Sequence, residues 1–355
     1  GGYQAAYLAE QYAAPSVVVI MGTDGDDTLE FVAGRSAGSW RLALNDVMLD
    51  VPYDAALVRF DGGEGTDTVR FTGTDVKDSI EFWAAINELS ISSLHYEFGA
   101  QNVENVEVDA QGGSDSVILW DTVGDDKLVS GPDRVEMTGL GYSAVLTGVD
   151  SVFAYAMQGG RDEAVLLDSP GIDRVRISET NSAMYRPGSF VRVKGFEDVT
   201  AVSQAGGRDT AYAFGSVSDD EIHVSPDIVT ITDKSAQGIE KAYLNRVVGF
   251  ASTFVSGFSG NDQATIIGST GDDQFLGDFG LAKMAYSNGS TVMLDRVSSV
   301  SVDGGEGVDS AILSDTPGDD LLTQAADVVT LSSNDADIYQ MIAFDRIAAH
   351  SRKGG

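Results

Sequence analysis

Residues 62–78 read Gly62-Gly63-Glu64-Gly65-Thr66-Asp67-Thr68-Val69-Arg70-Phe71-Thr72-Gly73-Thr74-Asp75-Val76-Lys77-Asp78. Two turns rich in glycine and aspartate flank five residues of alternating polarity, which is the period of a strand with one buried face. The second turn recurs with starts at Gly22, Gly73, Asp121, Asp168, Gly215, Gly268 and Asp315, in steps of 51, 48, 47, 47, 53 and 47 residues. The first turn recurs too, ending in Asp67, Asp115, Asp162, Asp209, Asp262 and Asp309. The closing Asp of the following turn is Asp78, Asp126, Asp173, Asp220, Asp273 and Asp320, always 11 residues on. A fixed spacer between two turns is what one short strand with its corner provides, while loops elsewhere absorb the changes in length.

Working outward, seven degenerate repeats of about 47 residues fill the chain as one continuous solenoid domain. They run 22–72, 73–120, 121–167, 168–214, 215–267, 268–314 and a truncated 315–355, after a partial repeat or cap at 1–21. Two residues after each second Asp stand Leu29, Ile80, Leu128, Val175, Ile222, Phe275 and Leu322. This reads as one inward column of a stack. Two residues after each first Asp stand the smaller Val69, Val117, Ala164, Ala211, Ala264 and Ala311. Apolar pairs three apart, such as Val103/Val106 and Phe196/Val199, mark a further strand upstream. About five strands fit each repeat, as in Lys127–Ser130, Arg134–Thr138, Ser143–Thr147, Ser151–Ala156 and Glu163–Leu167. The expected fold is all-β, a parallel β-solenoid. One wide coil, two coils of about 23 residues and a protruding middle hairpin all remain open at this point.

Fifty-five acidic residues oppose 22 basic ones, for a net charge of -33. Such a surface lacks the Lys/Arg patches that nucleic acid and anionic membranes require. Hydrophobic residues make up 43% of the chain, enough for a packed core. Apolar runs such as Val17 to Met21 are far too short to insert in a membrane. Without cysteine there are no disulfides, thiolate metal sites or cysteine nucleophiles. The first residue is not Met and no signal peptide is visible, so a processed or excised piece is expected. Tyr3 to Ala14 is the only helix-like stretch, and Gly354-Gly355 falls where a further glycine turn would begin. Two expectations follow: a segment cut from a longer array, or open ends that associate head to tail with a neighbouring solenoid.

Gly62 to Arg70 fits the nonapeptide G-G-x-G-x-D-x-U-x, and Gly304 to Ile312 fits it with Ala311 as the apolar residue. In these residues the chain resembles the calcium-binding RTX repeats. Its 47-residue frame is similar to the parallel β-helix repeat regions of large secreted bacterial surface proteins. The resemblance implies an extracellular, acidic, cell-surface β-solenoid with calcium at its turns. One departure matters. RTX nonapeptides follow one another directly, whereas these turns come in pairs 11 apart and then lapse.

The carboxylates admit two readings. Calcium takes six to eight oxygen ligands from carboxylates, turn carbonyls and water, and a cation between stacked Asp residues would offset their repulsion. The candidate ligands are Glu64, Asp67, Asp78, Asp115, Asp126, Asp262, Asp273, Glu306, Asp309 and Asp320. Arg161 and Arg208 place a cation beside the glycines of two middle repeats, which are poorer candidates. In the other reading each Asp braces its own turn and needs no metal.

No catalytic set emerges. His95, His223 and His350 match no metal spacing, no serine sits in G-x-S-x-G, and the glycine turns exit into acids that repel phosphate. The enzyme alternative is a polysaccharide lyase or epimerase on a β-helix, or a glycan-binding rod. Its candidates are the basic cluster Arg186, Arg192 and Lys194, the insertion at Lys234–Lys241, and Trp40, Trp83 and Trp120 as sugar platforms. Arg192 and Lys194 also read as the wet face of a strand, and each Trp as packing. The function expected is structural or adhesive, within a larger bacterial surface protein.

Overall fold

The computed structural model describes residues 16–36, 38–234, 243–278, 280–316, 319–333 and 336–351. The expectations for Gly1-Gly2, Tyr3 to Ala14 and Gly354-Gly355, and for nearly all of Lys234–Lys241, lie outside the described residues. The protein is all-β, with stacked parallel strands forming a β-solenoid of about eight turns and roughly 38 residues per turn. Two compact units divide the chain, residues 1–128 with 133–160, and residues 129–132 with 161–355.

In the first unit, sheet A runs in space Ser16–Met21, Ala55–Asp61, Glu97–Gln101, Glu88–Ser93, Asp78–Trp83, Ser116–Trp120, Ser151–Tyr155. Sheet B runs Val47–Leu49, Arg41–Leu44, Thr28–Val32, Thr68–Thr72, Asn105–Asp109, Tyr142–Thr147, Arg134–Gly139. The second unit repeats the plan in sheets A′ and B′. Sheet A′ includes Arg174–Ile177, Thr210–Phe214, Ser252–Ser256 and Thr291–Asp295 as consecutive parallel neighbours. Sheet B′ includes Glu163–Leu167, Asp198–Val202 and Leu244–Val248 in the same relation.

The five strands expected between 127 and 167 form as Lys127–Ser130, Arg134–Gly139, Tyr142–Thr147, Ser151–Tyr155 and Glu163–Leu167. The middle pair is a hairpin, but it does not protrude. It lies in the sheet as part of an antiparallel meander, and a repeat spans more than one coil. Asp78–Trp83, Glu88–Ser93 and Glu97–Gln101 form another such meander in sheet A. The 38-residue turn and the 47-residue repeat differ for a countable reason. Parallel partners lie four strands apart in the chain, as in Thr68–Thr72 with Asn105–Asp109, whereas each sequence repeat holds five strands.

The 11-residue spacer is a five-residue strand and its corner, seen in Thr68–Thr72, Ser116–Trp120, Glu163–Leu167, Thr210–Phe214, Gln263–Ile267 and Ser310–Ser314. The two inward columns stand side by side. Leu29 pairs with Val69, Ile80 with Val117, Val175 with Ala211, Ile222 with Ala264 and Phe275 with Ala311. Each pair sets a large side chain beside a small one, and all ten are sealed from water. Such alternation fills a layer of constant thickness at native packing density. Rings cross the core between the sheets, with Phe31 5.3 Å from Phe98 in the first unit and Phe275 5.8 Å from Tyr339 in the second.

Candidate functional site

At the ends of the strands the turn aspartates are buried, which an unpaired carboxylate would not tolerate. The backbone holds them. The Asp27 N–H donates to Asp67 Oδ1 at 2.7 Å, and the Asp67 N–H donates to Glu104 Oε2 at 2.8 Å. The Asp78 N–H likewise donates to Asp115 Oδ1 at 2.7 Å, and the Asp115 N–H to Asp150 Oδ2 at 2.8 Å. In the second unit Asp220 donates to Asp262, Asp273 to Asp309, and Asp309 to Asp345. Each rung is therefore a carboxylate of one turn capping the backbone of its neighbour.

The closing Asp also braces its own turn. Asp126 and Asp220 each accept the N–H of the residue four earlier, Thr122 at 2.8 Å and Ser216 at 2.6 Å. Side chains from the meander reach the same carboxylates. Tyr96 Oη donates to Asp78 Oδ1 at 2.6 Å, Tyr142 to Asp126 and Tyr243 to Asp220 at 2.7 Å, and Asn45 Nδ2 to Asp27 at 2.6 Å. Glycine precedes many of these acids because the carboxylate lies against it. A Cβ on Gly73 would sit 2.6 Å from Asp78 Oδ2 and 2.8 Å from the Ala110 carbonyl oxygen.

One oxygen of several rungs stays unanswered. Oδ2 of Asp67, Asp78, Asp115, Asp262 and Asp309 is buried without a hydrogen-bond partner. Burial pushes the Asp115 carboxyl up to about 6, with the Asp78 and Asp150 carboxylates adding to the shift. Asp262 is likewise pushed up to about 6 by burial, reinforced by Asp220 and Asp219. Asp67, Asp78 and Asp309 rise from the same first cause. Asp27 moves the other way, because the Thr23 N–H and the Asn45 amide stabilise its charge.

The ten candidate ligands thus divide. Asp67, Asp78, Asp115, Asp126, Asp262, Asp273 and Asp309 are buried in the rungs. Glu64 and Glu306 stand exposed at turn tips. Asp320 is half-buried and accepts from the Thr316 N–H and hydroxyl at 2.9 and 2.8 Å. The tightest cluster is elsewhere. Asp168, Asp173 and Asp209, all buried, bring carboxylate oxygens within 4.8 Å of one another. Asp168 accepts from the N–H groups of Gln204 and Ala205, Asp173 from Ser169, and Asp209 from the Asp173 N–H and the Ser203 hydroxyl. The neighbouring Arg186 guanidinium interacts electrostatically with Asp168 and Asp173.

Arg186 therefore leaves the expected surface cluster. It is buried, donating to the carbonyl oxygens of Leu167 and Ser130 at 2.6 Å each, and burial lowers its pKa to about 10. Arg192 lies on the outer side of its strand between buried Val191 and Val193, donating to Asn181 Oδ1 at 2.8 Å. His223 faces solvent 3.3 Å from Glu221. Trp40 is buried against Phe31, whereas Trp83 and Trp120 are half-exposed on the outer face of sheet A.

Sequence reasoning missed Glu104, Asp150, Glu197 and Asp345, which accept the N–H groups of the first-turn aspartates. Their signal was available. Each follows the first residue of an apolar-x-x-apolar pair, as in Val103-Glu104-Asn105-Val106. No protein-family model matches the sequence, and no curated protein matches it. No described helix is long and apolar enough to cross a membrane.

Proposed function

We propose that the chain is an extracellular structural or adhesive segment of a larger bacterial surface protein, a β-solenoid whose turns calcium stabilises. The observation that carries this reading is the recurrence of a buried, partnerless carboxylate oxygen at one turn position, in Asp67, Asp115, Asp262 and Asp309. A stack that needed only backbone caps would have no use for the second oxygen, and leaving it desolvated is costly. The donors are all oxygen, the set that calcium prefers. Turn by turn the same rung recurs, which suits a mechanical element.

Thermal unfolding followed by circular dichroism, in calcium and in chelator, tests the reading. Free calcium at a hundred times Kd adds about 2.7 kcal/mol per site, and several rungs multiply that gain. A melting temperature raised strongly by calcium and little by magnesium is the expected result. Superimposable curves in calcium and chelator would overturn the calcium assignment and leave the rungs as backbone caps alone.

A further inference from the structure

The outward faces of the two sheets of the first unit differ in kind. On sheet A, Trp83, Trp120 and Tyr155 occupy one register row across three neighbouring strands, each half-exposed. The Trp120 and Tyr155 rings stack 4.5 Å apart at 17°, and Trp120 Nε1 donates to Glu81 Oε1 at 2.9 Å. Sheet B points no Phe, Tyr or Trp outward among its described strand residues. Its outer row is Glu30, Arg70 and Glu107, joined by ion pairs. Alternation alone calls for polar residues on a wet face, so aromatic side chains gathered on one face point to a ligand.

Beside Trp83 that face opens into a depression of about 580 Å3, within the size range of small-molecule sites. Gly99 lets the Arg59 guanidinium lie across its floor. It is a strand residue without a side chain, and a Cβ there would lie 2.6 Å from Arg59 Nη1. Around this floor stand Trp83, Arg59, Asp61, Glu88 and Gln101. Asp61 is held in place by the amide groups of Gln101 and Asn102, each donating at 2.7 Å. An indole beside planar, multiply hydrogen-bonding side chains matches a pyranose, which has an apolar C–H face and a rim of hydroxyls.

We propose that this depression is a glycan subsite for a neutral oligosaccharide. Trp83 takes the apolar face of a sugar ring, and Arg59, Asp61, Glu88 and Gln101 bind its hydroxyls. Charge selects the ligand class. A chain of net charge -33 repels polyanions, and the one guanidinium here shares the lining with two carboxylates. The same charge on both partners opposes a second copy of the chain. The inference rests on the adhesive half of the function proposed above. Its test is independent of calcium melting, so either can fail while the other stands.

Isothermal titration of the protein with cellotriose, xylotriose, mannotriose, chitotriose and, as the acidic probe, trigalacturonate tests the site. The expected result is saturable binding of at least one neutral trisaccharide and none of trigalacturonate. Trp83→Ala should weaken that binding about tenfold or more. Gly99→Val, which pushes the exposed Arg59 side chain off the floor and leaves Trp83 in place, should do the same with an unchanged melting curve. The proposal is overturned if no neutral probe binds at about 10 mM, an order of magnitude above a millimolar Kd. Equal affinity in wild type and Gly99→Val, tighter binding of trigalacturonate, or self-association abolished by Trp83→Ala would each overturn it too.

Discussion

Replacing Asp115 with alanine removes the acceptor of the Asp78 N–H, a 2.7 Å hydrogen bond between two residues sealed from water. A buried donor left without a partner costs about 1–3 kcal/mol. For whole-chain unfolding, with an entropy near 2 cal/mol/K per residue, that lowers the melting temperature by roughly 1.5–4 °C. Unfolding in segments, the habit of solenoids, enlarges the shift. Asparagine at the same place keeps an oxygen for the Asp78 N–H but abolishes the charge, so it isolates the electrostatic part. The folded Asp115 carboxyl is raised to about 6, whereas the unfolded value is about 3.9. The folded state therefore binds the proton more tightly. The destabilisation is fully present above about pH 6 and is relieved as pH falls towards about 4. In chelator, wild type should gain stability from pH 7 to pH 5, and Asp115→Asn should gain less, the other acids contributing equally to both. Urea midpoints at the two pH values read the difference. Equal slopes in the two proteins, or an Asp115→Ala variant as stable as wild type, would refute the reasoning.

Two further outcomes follow from the core and from the buried cation. Ile222→Ala should cost about 2–5 kcal/mol and Ala264→Ile about 1–3 kcal/mol. These residues are buried neighbours in register, so the double variant should recover much of the summed loss; strict additivity in urea unfolding would show that the columns do not share volume. Arg186→Met should cost about 3–5 kcal/mol, because it leaves buried carboxylates without their cation. A urea midpoint equal to wild type would show that the hydrogen bonds to Asp168, Asp173 and Asp209 suffice alone.

Much of the fold was legible because its signals are local. The strand Thr68–Thr72 declares itself by alternation between two turns, and the columns through Ile222 and Ala264 by fixed distance from an Asp. The meander was harder. Arg134–Gly139 alternates like any other strand, and alternation carries no information on whether a strand runs parallel or antiparallel to its neighbour. The rungs were half legible. That Asp115 matters is plain from its recurrence, but its hydrogen-bond donor, Asp78, lies 37 residues away, and only the stacking register brings them together. Arg186 illustrates the limit on composition. Beside Tyr185, and near Arg192 and Lys194, it reads as a basic surface, yet its side chain turns inward between the Leu167 and Ser130 carbonyls.

The mismatch between five strands per sequence repeat and four strands per turn accounts for the arrangement of the acids. With an odd number of strands, successive repeats exchange sheets, so the meander that begins at Asp78 lies in sheet A while Tyr142–Thr147 and Arg134–Gly139 of the next lie in sheet B. The two acids of one spacer, such as Asp67 and Asp78, then lie at opposite ends of one strand and never share a rung. Rungs instead join the closing Asp of one spacer to the first Asp of the next: Asp27 with Asp67, Asp78 with Asp115, Asp220 with Asp262. Asp67, Asp115, Asp262 and Asp309 thus each meet the backbone N–H of a closing Asp in a neighbouring turn, and the ladder of like charges is broken into short runs of two or three. This is why directly consecutive nonapeptides are unnecessary here. Changes in repeat length can then fall outside the spacer without moving a rung, provided the 11-residue spacing is kept.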